Sequence, residues 1–85
     1  MPPTKPRLRE RKALARAIRV LRAEHGVSQE DVEREGGLGA NAIGRMERGA
    51  SSPSFDSLVG VAEGLGLPLS ALIEAYERQL ARAPR

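Results

Sequence analysis

Apolar residues recur with helical spacing along almost the whole chain. Leu14, Ala17, Ile18 and Leu21 fall at i, i+3, i+4 and i+7, the buried stripe of an amphipathic helix that begins near Leu8. Gly26 ends it, with Val27 packing back over a left-handed cap, and His25 in the last turn faces the negative end of the helix dipole. Ser28-Gln29-Glu30-Asp31 opens a second, short helix with a capping box: Ser28 accepts from the backbone and Asp31 reaches back. Gly36, Gly37 and Gly39 then force a sharp turn. A third helix is expected from Ala40 to Arg48, with Ile43 and Met46 inward and Leu38 anchoring the turn. Asn41, Gly44, Arg45 and Arg48 share its outer face. Ser54 caps a fourth helix, Phe55 to Leu65, whose inward residues read as Phe55, Leu58, Val59, Ala62 and Leu65. After Gly66, Pro68 opens a fifth, in which Leu69, Leu72, Ile73, Tyr76 and Leu80 form one stripe. No strand alternation or internal repeat is present, so the class is all-α, a five-helix bundle around a central helix, turn and helix.

At 85 residues the chain is one small domain, and folding at this size buries only about 60% of the extended chain's surface. That leaves no roomy internal substrate cavity. Cysteine is absent, so disulfides and thiolate metal sites are excluded, and no apolar run reaches the ~18 residues of a membrane span. No metal or cofactor is implied. A cytoplasmic location is compatible with this composition. His25 near Ser28 and Asp31 has the composition of a hydrolytic triad without its geometry, because both partners are committed to a helix start. No catalytic residue is assigned.

The net charge of +3 hides an asymmetry: residues 1–25 carry eight basic side chains against Glu10 and Glu24. Residues 1–10 read as a flexible basic arm ahead of a single domain over 11–82. Lys5, Arg7, Arg9, Arg11 and Lys12 give the footprint of a polyanion-binding segment. A transit peptide, a membrane-surface helix and a solvated face share that composition.

Ser28-Gln29, Val32, Gly37-Leu38, Ile43, Met46 and Glu47-Arg48-Gly49 together resemble the phage repressor, Cro and Xre family of helix-turn-helix regulators, and the likeness extends over roughly residues 14–73. The resemblance implies a lambda-repressor-like fold with double-stranded DNA as partner. It implies base-reading positions at Ala40, Asn41, Gly44 and Arg45, and phosphate contacts from Gln29 and Arg48. The Ser51-Ser52 loop can add backbone N–H donors to phosphates. Asn suits adenine, Arg guanine, and Ala a thymine methyl. It further implies an ion pair between Arg22 and Glu47. Three positions depart from the pattern. Glu33 replaces a small apolar residue, so either the packing angle differs or the carboxylate reaches solvent. Gly39 replaces a usual capping Ser, and Gly44 costs about 1 kcal/mol relative to Ala within a helix. The segment Ser28–Gly49 is itself acidic, with three Arg against five carboxylates.

The expected function is a sequence-specific transcriptional regulator acting as a homodimer on a two-fold operator, paired through Ile73, Tyr76 and Leu80. The alternative is an antitoxin or adaptor that binds a protein partner through the same fold while autoregulating its operon.

Overall fold

In the computed structural model, which describes residues 7–50 and 52–84, five α-helices follow one another. They are α1 Leu8–His25, α2 Gln29–Glu35, α3 Ala42–Glu47, α4 Phe55–Leu65 and α5 Leu69–Arg82. The described residues contain no strand, in keeping with the all-α reading. No single helix among them is long and apolar enough to cross a membrane.

Local chemistry sets most boundaries where the sequence places them. Gly26 takes the left-handed conformation at φ 65°, which lets the Val27 N–H reach back to the Arg22 carbonyl at 3.1 Å. The capping box forms: the Asp31 N–H donates to Ser28 Oγ at 3.0 Å and the Ser28 N–H donates to Asp31 Oδ2 at 3.1 Å. Ser54 Oγ accepts the Ser57 N–H at 3.1 Å and starts α4.

Ile18, Val32, Ile43, Val61 and Leu72 are the largest fully buried side chains, and each comes from a different helix. One core therefore ties all five together. In the α2–α4 contact two glycines of α4 let the helix approach α2 and its end closely. A Cβ on Gly60 would stand 2.8 Å from the Gly36 carbonyl oxygen, and one on Gly64 would stand 2.7 Å from Val32 Cγ1. Only glycine permits that approach, which seats α2, and through its turn α3, against the rest of the molecule.

Three expectations are corrected. First, α3 starts at Ala42, not Ala40, because Asn41 holds a left-handed backbone, φ 65°, that a right-handed helix cannot include. Second, Phe55 is 68% exposed: its stripe on α4 runs past the edge of the core at the first turn. Third, Leu8, Arg9 and Glu10 are the opening turn of α1, not part of an arm. Packing of α1 along α5 fixes them, and Arg9 Nη2 donates to the Leu80 carbonyl at 3.2 Å. Lys5 and Ser51 lie outside the described residues.

Candidate functional site

A clamp on the end of α3 organises the site. Arg22 on α1 donates from Nε to Glu47 Oε2 at 2.6 Å and from Nη2 to Oε1 at 3.0 Å, a bidentate pair, while its Nη1 donates to the Val27 carbonyl at 3.1 Å. The pair expected from the sequence is therefore present. Glu47 is 6% exposed. Gln29, the first residue of α2, adds a third donor, Nε2 to Glu47 Oε1 at 3.1 Å. Arg19 Nη2 donates to the Glu47 backbone carbonyl at 2.6 Å. One residue of α3 is thus held by α1 twice and by α2 once, which fixes the angle of α3. Burial pushes the Glu47 carboxyl up, but the hydrogen bonds from Arg22 and Gln29 and the Arg22 charge outweigh it and hold the group below the ordinary carboxylate range. The hydrogen bond to Glu47 raises Arg22 in turn.

The opposite end of α3 is held by an acid. Glu33 Oε2 accepts the Ile43 N–H at 3.0 Å. Glu33 turns toward α3 rather than out to solvent and does the capping that neither Asn41 nor Gly39 performs, since Asn41 makes no side-chain cap bond.

Between these two anchors, Asn41, Arg45 and Arg48 are exposed on α3 or at its ends, and Ala40 is exposed in the turn ahead of it. Arg45 Nη1 makes a long contact of 3.4 Å to the Ala40 carbonyl. Gly44, expected on the outer face, is buried: a Cβ there would meet Arg48 Nη1 at 3.3 Å and Gln29 Oε1 at 3.6 Å. Its lack of a side chain lets those two groups close over it.

Beside Gly44 lies an open groove of about 670 Å³ lined by Lys12, Arg16 and Arg19 of α1, Gln29 of α2 and Arg48 and Gly49 at the end of α3. Among the described residues its one lining carboxylate is Glu47, already paired with Arg22, and four cations, Lys12, Arg16, Arg19 and Arg48, face the space. The expected phosphate contacts Gln29, Arg48 and Lys12 converge here, although the Gln29 amide N–H is spent on Glu47. Arg9 borders an adjoining hollow with Lys12 and Arg16. Arg7, Arg11 and Ser52 do not converge with them. They line a third hollow with Leu14, Leu58, Ile73 and Tyr76, and Arg11 Nε is buried without a hydrogen-bond partner among the described residues. The helical turn separates Arg9 and Lys12 from Arg7 and Arg11, a split that a run of basic letters conceals. Arg16 and Arg19 were missed as site residues; their i+4 and i+7 spacing from Lys12 was the available signal.

Ile73, Tyr76 and Leu80, the expected dimer patch, are half-buried, and Tyr76 packs against the core. Burial, with Glu10 and Glu77 nearby, pushes the Tyr76 hydroxyl up. Among the described residues no group of His, Cys, Asp and Glu has the arrangement of a metal site. Ser28 and Asp31 are engaged with each other, and His25 is exposed at the end of α1.

The sequence profile of the helix-turn-helix family matches residues 18–72. The chain belongs to this family. The segment matched runs from the buried Ile18 of α1 to the buried Leu72 of α5, so the family core is the packing core described above. A similar curated relative is the cryptic phage CTXphi transcriptional repressor RstR of Vibrio cholerae, 32% identical over 63 residues, which are 74% of this chain and 57% of that protein. The chain thus spans little more than half the length of that relative. Among solved helix-turn-helix structures, the wild-type restriction-modification controller protein C.Esp1396I superposes with a TM-score of 0.77 at 22% identity, covering 85% of this chain and 95% of that one. The same controller, as a tetramer in complex with its natural 35 base-pair operator, gives a TM-score of 0.78 at 22% identity, with 85% and 95% covered. The clp gene regulator ClgR from Corynebacterium glutamicum gives 0.76 at 25% identity, with 86% and 78% covered. The lambda-repressor-like arrangement of helices is shared with these structures.

Proposed function

We propose that this protein is a sequence-specific DNA-binding transcriptional regulator acting as a homodimer. The observation that carries the reading is the clamped α3, with Asn41 and Arg45 exposed beside a groove lined by four cations. A short helix fixed at both ends, by Glu33 and by Arg22 through Glu47, is pre-organised to enter a major groove, and its exposed Asn and Arg are the residue types that pair bidentately with adenine and guanine. Ala40, Asn41 and Arg45 read base edges; Arg48, Lys12 and the start of α2 meet phosphates. Gly44 contributes by letting Gln29 and Arg48 close over it. DNA as the partner makes the location cytoplasmic.

Pairing through Ile73, Tyr76 and Leu80 is part of this proposal. It is supported by the apolar hollow of about 200 Å³ where Ile73 and Tyr76 meet Leu14 and Leu58, and by exposed Phe55 one turn before Leu58 on α4. Two-fold pairing would set the recognition helices about 34 Å apart, one turn of DNA. The RstR and C.Esp1396I likenesses agree with a repressor or controller acting on an operator.

Selection of bound sequences from a random DNA pool tests the reading. A two-fold motif with half-sites about 10 base pairs apart is expected. Failure to enrich any sequence, together with stoichiometric capture of a protein product of the same operon, would favour the antitoxin or adaptor alternative.

A further inference from the structure

We infer that α1 carries a phosphate rail: Arg9, Lys12, Arg16 and Arg19 form one cationic row that tracks the DNA backbone alongside α3 and supplies the electrostatic attraction that the recognition segment lacks. This rests on the DNA-binding reading and deepens it by assigning the backbone contacts to a helix outside the helix-turn-helix.

Four observations converge. The four residues recur at i, i+3, i+7 and i+10, and Lys12 and Arg16 line both of two adjoining hollows, so the row is continuous in space. Arg19 is fixed at the α3 end of the row by its 2.6 Å bond to the Glu47 carbonyl, and Arg48 faces it across the groove. The row therefore begins at the recognition helix itself. Ten residues of helix span about 15 Å, a row long enough to meet more than one phosphate of a DNA strand. Finally, Ser28–Gly49 carries three Arg against five carboxylates, so the attraction must originate elsewhere, and Arg7 and Arg11 border a different hollow.

The test is a salt titration of DNA binding, with the selected site and a scrambled duplex, for the wild type and the double variant Lys12→Gln/Arg16→Gln. Each lost phosphate contact lowers the log–log salt slope by about 0.9, so the double variant should lose about 1.8 and weaken by the same factor on both duplexes. The charge-keeping pair Lys12→Arg/Arg16→Lys should retain the wild-type slope, and Arg78→Gln on α5 should leave it unchanged. An unchanged slope for the double variant, or a loss confined to the selected site, overturns the rail while leaving DNA binding in place. A wild type that binds neither duplex even at low salt overturns the DNA-binding reading itself.

Discussion

Glu33 on α2 closes the open start of α3: its Oε2 accepts the Ile43 N–H at 3.0 Å. A carboxylate at a helix N-terminus meets both an unpaired donor and the positive end of the dipole. Glu33→Ala should therefore cost about 1 to 2 kcal/mol of stability, the value of a lost cap, whereas Glu33→Gln, which keeps an acceptor oxygen, should cost less than half of that. Denaturant midpoints compare the two. Equal losses, or none for Ala, would mean the bond contributes nothing to α3.

The Arg22–Glu47 pair should show the asymmetry of buried ion pairs. Arg22→Ala strands the buried Glu47 carboxylate and should cost about 3 to 5 kcal/mol, whereas Glu47→Ala leaves the partly exposed Arg22, which water can reach, and should cost less. The double variant should cost clearly less than the sum. Additive losses below about 1 kcal/mol would be the behaviour of an exposed pair. A thermodynamic cycle of unfolding free energies decides between them.

Acid should act through the same carboxylate. Glu47 and Asp31 both ionise below the ordinary carboxylate range in the folded chain, Asp31 because it accepts the Ser28 N–H and bonds to Arg34. On unfolding both return to that range, so the unfolded chain takes up protons first as the pH falls. Their stabilisation is complete at neutral pH and is lost as the pH drops through the ordinary range to the lower folded values. Thermal melts between neutral and acid pH should show this decline, and it should be shallower in Glu47→Gln. An acid limb identical to that of the wild type would contradict the assignment.

Two glycine substitutions should have opposite signs. At Gly64 a Cβ would meet Val32 backbone and Cγ1, neither of which can move without parting α2 from α4, so Gly64→Ala should cost about 1 to 3 kcal/mol. At Gly44 the nearest atoms are the far ends of Arg48 and Gln29, and the position is helical; Gly44→Ala should gain up to about 1 kcal/mol from helix propensity. Melting temperatures moving in the same direction would contradict this packing.

What the sequence makes legible here is what is local. The Ser28–Asp31 capping box, the Gly26 stop and the core stripes depend on residues within one or two turns of each other, so spacing reveals them. The Arg22–Glu47 pair spans 25 residues and was accessible only through family resemblance. Glu33 stands out as a departure from the pattern, but its partner is a backbone N–H ten residues on, which no side-chain pattern encodes. The same holds for Gly60 and Gly64, whose role exists only once α2 lies across α4, whereas the face of α1 that carries Arg9, Lys12, Arg16 and Arg19 follows from local helical spacing and is masked only by the run of basic residues around it.

The central claim is that α3 reads sequence while the cations around it hold the backbone, and Arg45→Ala tests it most directly. Its affinity should be measured on the selected site and on a scrambled duplex at one fixed salt concentration. A loss of about 1 to 3 kcal/mol is expected on the selected site with little change on the scrambled one, so that specificity falls and general affinity persists. Equal losses on both duplexes would make Arg45 a phosphate contact and contradict the assignment of the reading face.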